Sequence, residues 1–394
     1  MYPAPAELAW RQPAYGGGSI LDLVSWARTR VAPGGLEAAR ACLPAAPGGD
    51  SQRVVLALLD GLGDRYLQRE GVGTHLLSRR CGRLSSVFPS TTAAAVTTMM
   101  TGLSPASHGL NGWVCRGHGR TGLFEPLPMI YHESRKPLRH PLRRHRLFPY
   151  PTLYEDLGCP AFVISPAWLA ESDFSARHSR GAVIAGYRVL DEIPDLVAFA
   201  LERLGPRGLV YCYLPHFDSV AHDEGMGASG LKDTLLAIDG CFRQVDTACR
   251  AGNAVLAATA DHGLIDAPEG DMICLGALPE VLERLAGPVW GERRAAFFRL
   301  KDIGLPDFQA LVARHWPDAI AWMSADEILS AGLLGPGKPH RDLATRIGDG
   351  VMLPRGRGTI VTAAKPEAVH RMRAVHGGLS GEEMDVPLLL GGVA

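Results

Sequence analysis

Carboxylate and imidazole side chains follow several apolar runs of the sequence. A carboxylate ends the run RVVLALLD at residue 60, and an Asp–His pair follows NAVLAATA at residues 261 and 262. A DxxxH spacing joins residues 218 and 222, and a further histidine precedes two glycines. The candidate metal ligands are therefore Asp60, Asp218, His222, Asp261, His262 and His376. Oxygen and nitrogen donors of these types suit divalent ions such as Zn²⁺ or Mn²⁺.

Each of these groups also has an ordinary structural explanation. An aspartate after a buried strand often caps the next helix. The DxxxH pair could lie on the surface of a loop, and a histidine before two glycines could belong to a turn. The occurrence of all the groups in one chain favours a shared site. Two divalent ions about 4 Å apart are a common device for displacement at phosphorus, which is the chemistry that we expect.

Three consecutive hydroxyl residues, Ser90, Thr91 and Thr92, precede an alanine-rich stretch with good helix propensity. At a helix N-terminus, free backbone N–H groups and the helix dipole attract a phosphoryl group. The same hydroxyls could instead serve only as helix caps. No histidine adjoins them in the motif, so a Ser-His-Asp triad is not indicated. Direct contact with a metal ion is the expected means of activating one of them.

The elements that must position these residues alternate between strands and helices. Continuous apolar runs at 54–59, 161–165, 208–214 and 253–259 are typical of strands buried on both faces. The patterns at 19–30, 195–204 and 231–245 predict helices. Strands that alternate with helices predict an α/β fold with a mostly parallel sheet. Ligands of such folds bind beyond the carboxyl ends of the strands, where the polar groups lie.

The chain divides into regions of different pattern. Residues 1–50, rich in Gly, Ala and Pro, are expected to form an arm packed on a core made of 51–266 and 351–394. Residues 267–350 predict an α+β cap insertion over the metal site. Residues 115–150 predict a polar loop, whose basic run from Arg135 to Arg146 is either solvated or in contact with a polyanionic substrate.

Composition restricts the class of protein. The 394 residues include 40 basic and 41 acidic side chains, and 46% of them are hydrophobic. This content excludes a largely disordered chain, and the balanced charge does not suggest a nucleic-acid coat or a membrane-surface binder. No CxxC pair, signal-peptide pattern or apolar run of roughly 20 residues is present. We expect a cytoplasmic protein that does not span a membrane, and its oligomeric state stays open.

The polar segments together resemble the type I phosphodiesterase/nucleotide pyrophosphatase family of the alkaline phosphatase superfamily. The resemblance rests on LLDGLG, FPSTTAAAVTTMMTGLSPASHGL, FDSVAHDEG, TADHG and VHGG, in this order, from about residue 53 to the C-terminus. It implies a three-layer α/β/α sandwich with a mostly parallel central sheet and a small α+β cap. It also implies hydrolysis of a phosphoric ester or phosphoanhydride bond in a small phosphorylated substrate.

The resemblance implies a role for each site residue. Thr92 corresponds to the nucleophile of the family, which forms a phosphothreonine. One metal ion would be held by Asp60, Thr92, Asp261 and His262, and the other by Asp218, His222 and His376. Two asparagines of the nucleotide-cleaving members correspond to Ala95 and Trp113 in this chain. Asn111 is therefore the candidate to stabilise the phosphoryl oxygens, and a nucleotide substrate is less strongly implied than the chemistry.

Other functions use the same metal ligands. A phosphomonoesterase or phosphonate hydrolase of the same superfamily would need a cationic clamp for a dianion, and no Arg or Lys lies between Val87 and Trp113. A phosphomutase would have to shelter its intermediate from water. A non-catalytic metal-binding protein is disfavoured because every ligand type is present. The predicted function is therefore a metal-dependent phosphodiesterase that prefers diesters to monoesters.

Overall fold

The fold is centred on a seven-stranded sheet, seen in a computed structural model that describes residues 10–42 and 50–393. In spatial order its strands are Arg80–Ser85, Asp385–Gly392, Val255–Thr259, Gln52–Leu59, Arg207–Leu214, Ala161–Pro166 and Val183–Tyr187. Only Asp385–Gly392 runs antiparallel to its neighbours. The prediction of an α/β fold with a mostly parallel central sheet is confirmed.

Helices cover both faces of this sheet. The last six residues of the central strand are all buried, although successive side chains of a strand point to opposite faces. On the sheet, Ile20–Val31 packs beside Thr92–Thr101, and Ile193–Arg203 packs beside Ser229–Ala251. The core is therefore a three-layer α/β/α sandwich.

The predicted core elements occur with small shifts at their ends. The four strands and the helices at 19–30 and 195–204 begin and end within two residues of the predicted positions, as is usual for element boundaries. The helix predicted at 231–245 is longer and spans Ser229–Ala251. The remaining helices of the described residues are Leu36–Cys42, Asp64–Glu70, His75–Ser78, Pro105–His108, Ala167–Ala170, Asp173–His178, His216–Glu224, Pro279–Leu282, Leu343–Ile347 and Gly381–Met384, besides three named below. Within the described ranges, none is long and apolar enough to cross a membrane.

The described part of the predicted N-terminal arm contributes to the main core. Helix Ile20–Val31 begins with a capping box, in which Ser19 and Asp22 satisfy each other's backbone N–H groups. Its side chains Leu23 and Trp26 are buried in the same cluster as the sheet residues. This segment is therefore part of one helix layer of the sandwich.

The cap is built on an antiparallel four-stranded sheet. Its strands, in spatial order, are Trp290–Glu292, Ala295–Phe298, Gly350–Pro354 and Ile320–Ser324, and its helices include Leu305–Ala313 and Ala325–Ser330. The predicted cap limit at residue 350 falls on a strand that pairs inside this sheet. Strand Thr359–Val361 then pairs with Met272–Cys274. The cap therefore extends past the predicted limit, because the chain forms further cap strands before it returns to the core.

The prediction of a polar loop at residues 115–150 is wrong in part. The segment contains strands Cys115–Arg116, Leu123–Glu125 and Ile130–Tyr131, and a helix, Pro141–Leu147. Strands of two or three residues are too short to show a periodic pattern in the sequence. The basic run is anchored to the protein, since Arg135 pairs with Glu125 and Arg146 pairs with Asp342. The charges of these two arginines are therefore balanced by carboxylates of the protein, which leaves them less available to a polyanionic substrate.

Candidate active site and metal centre

Three carboxylates meet at the carboxyl ends of neighbouring strands. Asp60 and Asp261 follow two adjacent parallel strands, and Asp218 lies in the first turn of helix His216–Glu224. Each carboxylate has one buried oxygen without a hydrogen bond to the described residues, namely Asp60 Oδ1, Asp218 Oδ1 and Asp261 Oδ2. An unpaired buried carboxylate oxygen is costly unless a cation compensates it. The three oxygens therefore fit a shared cation site.

Three histidines add nitrogen donors to this cluster. Their Nδ1 atoms lie 2.7 to 3.1 Å from backbone carbonyl oxygens. The pairs are His222 with Ala374, His262 with Gly263, and His376 with Ser90. Because a carbonyl oxygen only accepts hydrogen bonds, each Nδ1 carries a proton, and Nε2 is the ring nitrogen left to bind a metal ion. Histidines that bind metal ions are typically oriented in this way.

One group of donors consists of Asp218, His222 and His376. Their candidate ligand atoms lie within 4.8 Å of one another. His222 Nε2 is 3.2 Å from Asp218 Oδ2, and the ring centroids of the two histidines are 5.3 Å apart. The structure thus brings together all three residues that the family resemblance assigns to one metal ion.

The second group surrounds the imidazole of His262. Its Nε2 atom lies 3.5 Å from Asp60 Oδ1 and 3.3 Å from Asp261 Oδ2. The ligand atoms of Asp60, Asp218 and His262 also lie within 4.8 Å of one another, so Asp218 is close to both groups. The rings of His262 and His376 stack with centroids 3.7 Å apart. The two predicted ligand sets therefore form one continuous cluster.

The concentration of negative charge shifts the pKa values of these groups. Burial raises the pKa of Asp60 well above its usual value, and the neighbouring carboxylates of Asp261 and Asp218 raise it further. Burial also acts to raise the pKa of Asp218, but His222 outweighs it and lowers that pKa. Burial acts to lower the pKa of His222, but Asp218 raises it to about 9. A divalent cation among these groups would relieve the repulsion between the carboxylates.

The hydroxyl of Thr92 faces this cluster from the start of helix Thr92–Thr101. Its Oγ1 atom is 3.1 Å from His262 Nε2. The backbone N–H groups of Ala94 and Ala95 donate to the Thr91 carbonyl, whereas those of Thr92 and Ala93 make no hydrogen bond with another described residue. These two N–H groups are therefore available to phosphoryl oxygens.

The two preceding hydroxyls point elsewhere. Ser90 Oγ donates to the Gly378 carbonyl oxygen at 2.7 Å. Thr91 is the N-cap residue, but its side chain does not cap the helix; it donates to Glu292 Oε1 at 2.5 Å instead. Of the three consecutive hydroxyls, Thr92 is the one beside the ligand cluster.

The structure does not place Asn111 at the site, which corrects the prediction for this residue. Its side chain is buried, and Nδ2 donates to the Arg346 carbonyl oxygen at 2.8 Å. The segment turns through left-handed glycines, with φ of 76° at Gly109 and 156° at Gly112. These turns direct Asn111 inward, whereas Trp113 lines the cavity beside Thr92. Spacing along the sequence could not reveal which of the two side chains faces that cavity.

Two residues that the sequence analysis missed contact the site residues. The hydroxyl of Tyr213 donates to Asp60 Oδ2 and so helps to orient that carboxylate. Its position near the end of a predicted strand could have marked it as a residue of the site. Glu292 lies in the first strand of the cap sheet and accepts the hydroxyl of Thr91. No motif in the cap sequence marks this glutamate.

A cavity of about 670 Å³ separates the ligand cluster from the cap. Its core side includes Thr92, Asp218, His222 and His376, and its cap side includes Val289, Trp290, Glu292 and Arg293; Trp113, Val114 and His132 complete this part of the wall. The cluster therefore opens onto a space that both regions line.

The fold and this site define the class of protein. A mostly parallel α/β/α sandwich with carboxylates, imidazoles and one hydroxyl at the ends of its strands is alkaline phosphatase-like. The family model for type I phosphodiesterase / nucleotide pyrophosphatase matches residues 54–378. The chain belongs to this family, and it is a hydrolase of the type that acts on phosphodiester and pyrophosphate bonds.

Solved structures show the same fold at low sequence identity. Murine ectonucleotide pyrophosphatase/phosphodiesterase 5, in an inactive form with AMP, has a TM-score of 0.63 at 16% identity, covering 86% of this chain and 88% of that chain. The human protein of the same name gives 0.64 at 15% identity, with the same coverage. Phosphonoacetate hydrolase from Sinorhizobium meliloti 1021, in complex with phosphonoacetate, gives 0.61 at 18%, covering 87% and 91%. No curated protein matches the chain.

Proposed function

We propose that the chain is a metal-dependent phosphodiesterase or nucleotide pyrophosphatase-like hydrolase that acts through a phosphothreonine at Thr92. The observation that carries the proposal is the convergence of unpaired donors around one hydroxyl. Three buried carboxylate oxygens without hydrogen bonds and the Nε2 atoms of three histidines lie in the cluster that the Thr92 hydroxyl faces. Buried carboxylates this close together repel one another unless cations bind between them, so the cluster is best explained as a metal site.

The donor set fits two divalent ions, with Zn²⁺ the first candidate and Mn²⁺ the second. Asp60, Thr92, Asp261 and His262 would hold one ion, and Asp218, His222 and His376 would hold the other. When bound, such ions supply Lewis acidity that lowers the pKa of a hydroxyl and balances the charge of phosphoryl oxygens. Asp218 lies close to the ligand atoms of both groups, so the two ions would be near enough to contact the same substrate.

The residues of the chain suggest a two-step displacement. In the first step the bond from Thr92 Oγ1 to phosphorus forms while the bond from phosphorus to the leaving oxygen breaks, and the leaving group takes up a proton. In the second step water cleaves the phosphothreonine, releases phosphate or a phosphate ester and restores the hydroxyl. The free N–H groups of Thr92 and Ala93 would donate to the oxygens that gain charge. Two inversions at phosphorus would retain its configuration.

Phosphonate hydrolysis is the second candidate function. The fold is about as similar to phosphonoacetate hydrolase as to the ectonucleotide pyrophosphatases. The cavity is also lined by His132, Arg293 and His370, which could receive a second anionic group of a small substrate. The same ligand cluster would serve either reaction.

Hydrolysis of two model esters, with the metal ion varied, tests the proposal. We expect bis-p-nitrophenyl phosphate to be cleaved with a higher kcat/KM than p-nitrophenyl phosphate, by about tenfold, which corresponds to about 1.4 kcal/mol. Activity should disappear on chelation and return with Zn²⁺ or Mn²⁺. Phosphonoacetate serves as the third substrate. Turnover that survives complete removal of metal would contradict the proposal, and turnover of phosphonoacetate alone would favour the second candidate.

A further inference from the structure

A close backbone contact joins the cap to the segment that follows helix Thr92–Thr101. Gly291 of the cap and Val114 of the core exchange two backbone hydrogen bonds, of 2.8 and 3.3 Å. A Cβ atom added to Gly112 would lie 2.4 Å from Gly291, so no larger residue fits there without movement. This contact fixes the position of the next cap residue, Glu292, beside the start of helix Thr92–Thr101.

Glu292 is held there by two hydrogen bonds to a single oxygen. Its Oε1 atom accepts the Thr91 hydroxyl at 2.5 Å and the Trp113 backbone N–H at 2.6 Å. Both donors adjoin the site, because Thr91 precedes the proposed nucleophile and Trp113 lines the cavity. The other oxygen, Oε2, makes no hydrogen bond with the described residues, and Glu292 itself lines the cavity.

The two arginines that follow Glu292 in the cap each bind another part of the protein. Arg293 lines the cavity, but its Nη2 atom donates to the His370 carbonyl oxygen at 2.7 Å. Arg294 is buried and binds Glu383 through two hydrogen bonds of 3.2 and 3.1 Å. The cap group that contacts the start of helix Thr92–Thr101 is therefore a carboxyl group.

We propose that Glu292 determines substrate charge: its carboxylate disfavours phosphoryl groups that carry two negative charges and so selects diesters and anhydrides. The inference rests on the function proposed above and names the residue that sets its specificity. A diester presents one charge to the site, whereas a monoester or free phosphate presents nearly two. At alkaline pH the second charge meets the carboxylate of Glu292, and repulsion between the like charges disfavours such groups.

The variant Glu292→Gln isolates this charge, because a glutamine Oε1 can accept the same two hydrogen bonds. Relative to the wild-type protein, we expect the ratio of kcat/KM for p-nitrophenyl phosphate to that for bis-p-nitrophenyl phosphate to rise about tenfold or more. Glu292→Ala also lacks the charge and should shift the ratio in the same direction, even if both rates fall. All proteins are compared at equal metal content and at one alkaline pH.

Thr91→Val is the matched control. It removes one of the two hydrogen bonds and keeps the carboxylate, so it should lower both rates together and leave their ratio unchanged. A change of ratio in Thr91→Val equal to that in Glu292→Gln would show that position, and not charge, sets the preference.

Binding of inorganic phosphate, measured by calorimetry, is independent of turnover. Glu292→Gln should bind phosphate about tenfold more tightly than the wild-type protein. If both the ester ratio and the phosphate affinity are unchanged, the inference is overturned. If the wild-type protein hydrolyses neither ester, the proposed function fails, while the phosphate titration still decides the role of Glu292.

Discussion

The two sides of the cavity are built in different ways. On the core side, Asp60 and Asp261 follow neighbouring strands of the central sheet, and the seven predicted ligands lie in one cluster. On the cap side, the contacts come from chain segments far apart in sequence, as in the pairing of Gly291 with Val114. The core side thus holds the groups proposed for the chemistry, and the cap side holds those proposed for selecting the substrate.

This difference predicts that changes on the two sides have different consequences. Loss of a core-side group should remove the reaction with every substrate, because all of them pass through the same cluster. Loss of a cap-side group should change the choice among substrates or the stability of the cap. The variants below test this division, beginning with the largest expected effect.

Thr92→Ala should reduce kcat/KM for diester hydrolysis by on the order of several kcal/mol in transition-state free energy, as removal of a nucleophile does. The reason is that neither neighbouring hydroxyl faces the cluster: Ser90 Oγ donates to a backbone carbonyl oxygen, and Thr91 Oγ1 donates to Glu292. Steady-state kinetics with bis-p-nitrophenyl phosphate measures the loss. Ser90→Ala is the control and should retain most of the activity. Near-normal turnover by Thr92→Ala would show that the family position of the nucleophile was transferred to the wrong residue.

Arg294→Ala should weaken the connection between cap and core by about 3–5 kcal/mol of unfolding free energy, because it leaves a buried carboxylate unpaired. Burial acts to raise the pKa of Glu383, but Arg294 and the surrounding hydrogen bonds lower it below the usual value. The stability from this pair is therefore present at neutral pH and lost as the pH falls through the pKa of Glu383. Denaturant unfolding at neutral and acidic pH measures the effect, which should be larger at neutral pH.

Arg293→Ala is the matched control for that experiment. This side chain donates to one backbone carbonyl and lacks a buried carboxylate partner among the described residues, so its loss should cost about 1 kcal/mol. Equal destabilisation by the two variants would mean that the ion pair does not hold the cap to the core.

Asn111→Ala should cost about 1 kcal/mol of unfolding free energy and leave kcat/KM nearly unchanged. The amide of Asn111 donates to the Arg346 carbonyl, which also accepts the indole N–H of Trp290 and so stays satisfied in the variant. Unfolding curves and diester kinetics measured on the same preparation test this expectation. A large fall in kcat in a variant of normal stability would return Asn111 to the catalytic residues.

The core side of the site could be predicted from the sequence, but only part of the cap side could. Asp60 and Asp261 could be found because an apolar run shows where a strand ends, and parallel strands bring their ends together. Asn111 was misassigned because the direction of its side chain depends on two left-handed glycines. Glu292 could not be found, because its role depends on contacts with residues 201 and 179 positions away, and no local pattern reports such contacts.

The predicted limits of the cap were inexact for a related reason. Strand Gly350–Pro354 has the apolar character expected of a core strand, yet it pairs in the middle of the cap sheet. The hydrophobic pattern reports that a segment is buried and does not report which of two hydrophobic cores buries it.

Elemental analysis of the protein, purified without chelators, tests whether the ligand cluster holds metal ions. We expect two divalent ions per chain, and about one ion in the variant His222→Ala, because that change removes a ligand of one group only. Hydrolysis of the diester should rise and fall with the bound metal. Fewer than one ion per chain in the wild-type protein, together with activity that does not respond to added metal, would contradict the account.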